Sequence, residues 1–142
     1  MKNIETKTNS SMGKRVAWGV VWTAVLFMSV PVSARSRDAD GSRLQARHCS
    51  LGDTINDSLS PPRDSVDWRS FRVTEGKRVS VTLTHKPVKG RVTLTLVSSA
   101  GGELGRSTSR SGSASLAQQL KPGVYYVSVA SGQSVKYSLS VR

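Results

Sequence analysis

The chain has 142 residues, of which 37% are hydrophobic, 21% charged and 6% aromatic. This composition excludes a wholly disordered chain, and the length excludes two full domains. Lys and Arg outnumber Asp and Glu by 21 to 9, and within residues 35–142 by 17 to 8, so most of the basic charge (+9 of +12) lies outside the N-terminal segment. The positive charge favours an anionic partner such as acidic polysaccharide, lipid head groups or nucleic acid. The alternative is an ordinary basic surface without a specific partner, and this alternative is supported by the absence of any dense run of basic residues.

Residues 1–34 have the three parts of a secretory signal peptide. Lys14 and Arg15 close a polar region, an uncharged apolar run follows over 16–30, and small residues lead up to Ala34. The apolar run is short compared with the roughly 20 residues that a membrane-spanning helix needs. We therefore expect cleavage after Ala34 and export to the periplasm or the extracellular space, with membrane contact only through an uncleaved signal.

Residues 35–49 alternate charges without an apolar period. Such a segment cannot bury enough apolar surface to offset its ordering entropy, so we predict a disordered linker, with a short helix over Ser42–His48 as the alternative. Cys49 is the only cysteine, which excludes an internal disulfide and leaves a free thiol or an intermolecular bridge.

Residues 50–142 consist of short apolar runs separated by turn residues, which is the pattern of an all-β domain. The run over 78–84, for example, alternates Val and Leu with Ser and Thr, as a half-buried strand does. We predict a jelly-roll-like antiparallel β-sandwich of about seven or eight strands, preceded by the signal peptide and the linker. The predicted strands are Thr54–Leu59, Trp68–Val73, Arg78–Thr84, Arg91–Val97, Glu103–Thr108, Ser113–Leu120, Val124–Ala130 and Val135–Val141, with a loop as the alternative for Ser113–Leu120.

Three stretches resemble the bacterial pre-peptidase C-terminal domain, a β-sandwich often appended to secreted proteases. They are Asp64–Val73 with the Glu-Gly turn at 75–76, Val92–Leu96 with Ala-Gly at 100–101, and the Leu-Lys-Pro-Gly-Val-Tyr-Tyr run from 120 with the later Tyr-Ser-Leu at 137–139. The resemblance covers about residues 50–142 and implies a non-catalytic sandwich. Arg69 departs from it, because such domains usually have an aromatic or apolar residue at this position. No protease domain is recognised beside the module, so we expect it to act on its own.

The aromatic residues on the predicted strands suggest a ligand surface. In the closing hairpin, Tyr125 shares a face with Val127 and Val129, which leaves Tyr126 on the opposite face. Together with Trp68 and Arg69, Tyr126 could form a platform on which sugar rings stack. The same residue types can stack nucleic-acid bases, but so few aromatic side chains do not lead us to expect a nucleic-acid partner.

Four carboxylates surround the first predicted turn: Asp53, Asp57, Asp64 and Asp67. Calcium requires several such oxygen ligands, so these residues are candidates for a calcium site. The alternative is that they accept backbone N–H groups in turns, and Arg63 and Arg69 would partly neutralise the cluster. We expect no other cofactor.

The sequence does not predict an enzyme. Its only histidines are His48, in the predicted linker, and His85, at a strand end, and no nucleophile motif accompanies either. We therefore expect an exported, non-catalytic binding or adhesion module for an anionic envelope or extracellular polysaccharide. The alternative is an accessory or structural partner of a separate secreted protease or other exported protein.

Overall fold

The computed structural model describes residues 40–142; the predicted signal peptide and linker residues 35–39 lie outside this range. The described residues contain no α-helix, and none of their helical segments is long and apolar enough to cross a membrane. Their elements are a short 3-10 helix (Arg43–Gln45) and the strands β1 (Arg47–His48), β2 (Thr54–Leu59), β3 (Val66–Val73), β4 (Lys77–His85), β5 (Val92–Ser98), β6 (Glu103–Ser109), β7 (Ser113–Leu120), β8 (Gly123–Ser131) and β9 (Val135–Val141).

The strands form two sheets, which confirms the all-β antiparallel sandwich. We call them sheet A, with strand order β1-β3-β8-β5-β6, and sheet B, with strand order β2-β9-β4-β7. Among the strands of residues 40–142, only the pairing of β1 with β3 is parallel. All eight predicted strands are present, with bounds that differ by two residues at most. The two-residue strand β1 is the addition to the predicted set.

The core lies between the sheets and consists of alternate residues of the central strands. Val79, Val81 and Leu83 of β4 are fully buried, as their alternation with hydroxyl residues predicts. The rings of Phe71 and Tyr125 stack with their centroids 5.9 Å apart, so the inward prediction for Tyr125 is confirmed. Burying a large apolar side chain of this kind stabilises the fold by about 1.5–3 kcal/mol.

The structure departs from the prediction of a disordered linker at residues 40–49. After the 3-10 helix, β1 pairs with β3, and the Cys49 N–H donates to the Ser70 carbonyl at 2.8 Å. Asp40 is completely buried, and its carbonyl accepts the Trp68 N–H at 2.9 Å. The segment is held by backbone pairing along the edge of β3 and by the ionic contacts of Asp40, neither of which needs an apolar period in the sequence.

Candidate functional site

The candidate site is a groove on the outer face of sheet A, where the register aligns side chains from four strands. Trp68 lies opposite Ser128, Ser128 opposite Thr95, and Thr95 opposite Arg106. Trp68 faces outward because its neighbours Asp67 and Arg69 are the buried residues of β3. The row therefore begins at an indole and ends at a guanidinium.

A side chain from the N-terminal segment forms part of the groove. Arg43 extends from the 3-10 helix so that its guanidinium carbon lies 5.6 Å from the centroid of the Tyr126 ring, and its Nη1 donates to the Ser99 carbonyl at 3.5 Å. The groove has a cavity volume of about 440 Å³ and is lined chiefly by Arg43, Trp68, Thr95, Glu103, Arg106 and Ser128.

The β5–β6 hairpin leaves room for Arg43 because a glycine stands at the contact. Gly101 has φ +92°, and a Cβ at that position would lie 2.6 Å from Nη1 of Arg43. Only glycine adopts this backbone conformation without strain, and only glycine lacks the atom that would collide. Gly101 therefore allows the guanidinium to lie against the hairpin.

The charges that line the groove are two guanidiniums and one carboxylate. Arg106 donates to Glu103 at 2.5 Å in an exposed pair, which contributes little to stability. Arg43 has no carboxylate partner among residues 40–142; its contacts are the Tyr126 ring and the Ser99 carbonyl. The groove thus combines an excess of positive charge with the aromatic surface of Trp68.

Arg69, predicted to share a ligand platform with Trp68 and Tyr126, lies instead inside the sandwich. Its side chain is 4% exposed, and its guanidinium donates to the carboxylates of Asp40 and Asp57. The predicted trio is therefore divided: Trp68 and Tyr126 are on the outer face of sheet A, and Arg69 is in the core. A buried guanidinium requires such partners, since an unpaired buried charge is costly.

A second polar contact in the interior joins the two sheets. The Tyr137 hydroxyl donates to Oδ2 of Asp67 at 2.5 Å. Burial, together with this hydrogen bond, raises the pKa of Tyr137 far above its ordinary value. Tyr137 therefore stays protonated at physiological pH and acts as a fixed hydrogen-bond donor.

The four candidate calcium ligands do not meet at one point. Asp53 accepts the Ser50 N–H at 2.7 Å, as a turn carboxylate does, and Asp64 pairs through its backbone with Ser60. Asp57 and Asp67 turn inward to Arg69 and Tyr137. Within residues 40–142, no group of three or more His, Cys, Asp or Glu side chains is placed to hold a metal ion. The arrangement thus does not fit a calcium site.

The histidines and the cysteine are not arranged for nucleophilic catalysis in the described part of the chain. His85 Nδ1 donates to the Lys86 carbonyl at 2.7 Å, and its Nε2 has no hydrogen-bond partner there. Cys49 is a free thiol, 4% exposed, and burial, with a smaller effect of Asp53, raises its pKa to about 11. The cysteine is therefore a poor nucleophile.

Three residues that shape these sites were not singled out from the sequence. Arg43 and Asp40 lie in the segment interpreted as a linker, and Arg106 lies on a strand with little apolar alternation. The alternation of β3 predicts that Arg69 shares a face with Phe71 and Val73, and a buried arginine requires carboxylate partners. The sequence therefore indicates that Arg69 needs a carboxylate partner, but it does not indicate that this partner is Asp40.

Comparison with known proteins supports the fold through structure rather than sequence. No family model matches the sequence, and no curated protein matches it. Among solved structures, the chain is similar to the pre-peptidase C-terminal domain of a collagenase from Bacillus anthracis, with 22% identity and a TM-score of 0.59 over 68% of this chain and 94% of that one. With the strand pattern described above, this similarity shows that the chain has a β-sandwich fold like that of pre-peptidase C-terminal domains.

Proposed function

We propose that this protein is an exported, non-catalytic module that binds an anionic polysaccharide of the cell envelope or its surroundings. The observation that carries the proposal is the groove in which Trp68 lies in one row with Arg106 and beside Arg43. The flat apolar surface of an indole suits the C–H face of a sugar ring, and guanidiniums bind carboxylates and sulfates in a planar, bidentate manner. The net charge of +9 in residues 35–142 would attract such a polymer.

The expected binding energy is concentrated in few side chains. Aromatic and arginine side chains dominate most interfaces, so Trp68→Ala should weaken binding to an immobilised polygalacturonate by about tenfold or more. Arg106→Gln should weaken it by roughly three- to fivefold, as expected for one exposed charge contact. The matched control is Arg91→Gln, which also removes an exposed positive charge but outside the groove.

Melting curves of each variant separate lost binding from lost folding. Equal effects of Arg106→Gln and Arg91→Gln would mean that overall charge, not the groove, retains the polymer. Failure of the unmodified protein to bind polygalacturonate and lipopolysaccharide at low salt would refute the proposal.

Salt distinguishes the contributions to binding. Charge attraction between exposed groups is largely screened once the Debye length falls to about 3–4 Å, which corresponds to roughly 0.5–1 M salt. We expect affinity to fall by about tenfold or more as salt rises to this level. The residual binding should depend on Trp68, and Trp68→Ala should abolish it.

A second function, accessory partner of a separate secreted protease or other exported protein, is favoured by the similarity to a domain of a collagenase. It predicts a stoichiometric complex with one exported protein that survives both high salt and digestion of the polysaccharide. The test is co-purification of the tagged protein from the secreted fraction, followed by reconstitution from the two purified proteins. Reconstitution without polysaccharide would favour this function over the first.

A further inference from the structure

The outer face of sheet B carries hydroxyl or amide side chains at every position of two adjacent rows. The register of the sheet aligns each row across all four strands, in the order β2, β9, β4 and β7. Because neighbouring strands lie about 4.8 Å apart, each row is roughly 14 Å long. One row is Asn56, Ser138, Thr84 and Ser113, and the other is Thr54, Ser140, Thr82 and Ser115.

A cavity with a volume of about 670 Å³ opens at the first row, and two lysines stand beside it. Lys86 and Lys136 are both exposed and line the cavity together with Ser138 and Thr84. Asp57 also lines the cavity, but its carboxylate accepts from the buried Arg69, so its charge is compensated inside the sandwich. The cavity therefore has positive potential and a hydroxyl-rich surface.

The polar side chains of this face have no partners in the described part of the chain. None of the eight row side chains, nor either lysine ammonium, makes a side-chain hydrogen bond or ion pair within residues 40–142. The Oγ of Ser140 is also buried, so the hydroxyls open to a ligand are those of the other row members, and above all those of the first row. On sheet A, by contrast, Arg106 is bound to Glu103 and Arg43 to the Ser99 carbonyl. Polar groups that are ordered by a sheet and not used by the protein can exchange their water for a ligand at small entropic cost.

We propose that this face is a second binding site, independent of the groove, for an acidic sugar residue of a polysaccharide. Lys86 and Lys136 hold the carboxylate or sulfate, and the row through Asn56, Ser138 and Thr84 exchanges hydrogen bonds with the sugar hydroxyls. Hydroxyl and amide side chains both donate and accept, as sugar hydroxyls do, which makes such a row complementary to a polyol. The row contains no aromatic residue, so its own contacts with a sugar are polar. The cavity is also lined by the half-buried His85, whose Nε2 has no partner within residues 40–142, and by the buried Tyr137.

The experiment is a titration of the ¹⁵N-labelled protein followed by amide chemical shifts. The probes are trigalacturonate, neutral galactotriose and sodium sulfate. Trigalacturonate should give saturable shifts at Ser138 and Thr84, with about millimolar affinity, and the other two probes should bind at least about tenfold more weakly. The amides of Ser128 and Thr95 report the groove on sheet A in the same spectra.

Two variants test the roles of the charge and the hydroxyls. Lys136→Gln should weaken trigalacturonate binding at Ser138 by about three- to tenfold, whereas Lys121→Gln, which removes an exposed charge elsewhere, should change it by less than about twofold. Thr84→Val keeps the shape and the net charge and should weaken binding by roughly threefold, as the loss of one hydrogen bond does.

Three results would overturn the proposal. The first is the absence of shifts at Ser138 and Thr84. The second is an equal loss of trigalacturonate binding in Lys136→Gln and Lys121→Gln. The third is sulfate binding as tight as trigalacturonate binding, together with unchanged binding by Thr84→Val, because this pair of results would indicate a simple anion site. Shifts confined to Ser128 and Thr95 would remove the second site and leave the groove. Shifts confined to sheet B would support this proposal and count against the groove.

Discussion

Arg69 places a charged side chain in the interior of the sandwich. Its guanidinium occupies a core position of β3 and binds Asp40 from the N-terminal segment and Asp57 from β2. Burying such a group is costly, and the cost is offset only while both charge signs are present. The ionic contact therefore fixes which segments must meet, even though apolar residues that replaced the arginine and both carboxylates together would be about as stable.

Arg69→Met tests this role. Among residues 40–142, the substitution leaves the fully buried Asp40 with only the half-exposed Arg47, whose Nε lies 3.6 Å from Oδ2 of Asp40, and removes the guanidinium that Asp57 binds. The free energy of unfolding should therefore fall by about 3–5 kcal/mol. Urea unfolding followed by circular dichroism measures the loss. Arg106→Gln, which breaks an exposed ion pair, is the control and should cost less than about 1 kcal/mol.

The double variant Arg69→Met/Asp40→Asn extends the test, since it removes the buried carboxylate that loses its Arg69 partner and keeps only Arg47 of the described residues. It should be more stable than Arg69→Met alone, as interacting residues are not additive. An Arg69→Met protein as stable as the unmodified one would show that the buried ionic contact is dispensable.

Cys49 should be almost unreactive in the folded protein. With its pKa raised to about 11, its thiolate fraction near pH 8 is roughly a hundredfold lower than at the ordinary value, and burial blocks access as well. Iodoacetamide labelling should therefore be slower by about a hundredfold or more in buffer than in concentrated urea. Equal rates would place the thiol at the surface.

The same pKa shift has a consequence for stability in alkali. The unfolded chain releases the thiol proton near pH 9 and the folded protein only near 11, so the folded state binds more protons in this window. The contribution is fully present below about pH 9 and is lost as pH rises towards 11, by an amount on the order of 1–3 kcal/mol. Urea titrations at successive pH values should show this loss, and Cys49→Ala should lack that part of it.

At the scale of elements, the segment of residues 40–48 connects the core to the groove. Asp40 enters the sandwich to meet Arg69, β1 extends the edge of sheet A, and Arg43 lies over Tyr126. This short segment thus supplies the buried carboxylate of Asp40, the two residues of β1 that pair with β3, and the Arg43 side chain of the candidate site. A change that detaches this segment should affect stability and ligand binding together.

Gly101→Ala tests the contact between this segment and the β5–β6 hairpin. The added Cβ meets Nη1 of Arg43 and imposes strain at φ +92°, so we expect a loss of about 1–2 kcal/mol in unfolding free energy. Displacement of Arg43 should also weaken polygalacturonate binding in the groove. Gly132→Ala is the matched control, since a Cβ at that position would have no atom within 4 Å and the φ of Gly132 is not positive. Equal stabilities of the two variants would mean that Arg43 does not lie against Gly101.

The strands could be predicted from the sequence because the pattern that identifies a strand lies within the strand itself and in the turns beside it. Alternation of Val and Leu with hydroxyl residues locates strands such as β4 and β9, and Pro-Gly at 122–123 marks the start of β8. The predicted closing hairpin is wrong, because β8 pairs with β3 and β5 in sheet A whereas β9 pairs with β2 and β4 in sheet B. Local sequence patterns locate strands but do not say which sheet each strand joins.

The pairing of Asp40 with Arg69 joins residues 29 positions apart and has no periodic signature. The same limit applies to the contact between Arg43 and Tyr126. The outward-facing aromatic residues Trp68 and Tyr126 could therefore be predicted from the sequence, whereas the arginines that accompany them, Arg43 and Arg106, could not.

At the scale of the whole molecule, the two candidate sites lie on opposite outer faces of the sandwich and face away from each other. Packed sheets lie about 10 Å apart, and the groove and the hydroxyl rows occupy the two outer faces. A single polymer segment cannot lie in both sites without bending around the edge of the domain. Two separate chains, or two distant segments of one chain, can each occupy a face. The two proposed sites together would therefore bridge polysaccharide chains.

Bridging predicts light scattering that depends on the ratio of protein to polygalacturonate. Scattering should rise as protein is added, peak when sites and ligands balance, and fall when protein is in excess, because each chain is then saturated separately. Trp68→Ala and Lys136→Gln each weaken one face, so each should suppress the peak while the other face still binds. Lys121→Gln and Arg91→Gln remove charge outside both sites and should leave the peak in place. Charge-driven coacervation without defined sites would instead respond equally to every loss of positive charge and would disappear at about 0.5 M salt in all variants alike.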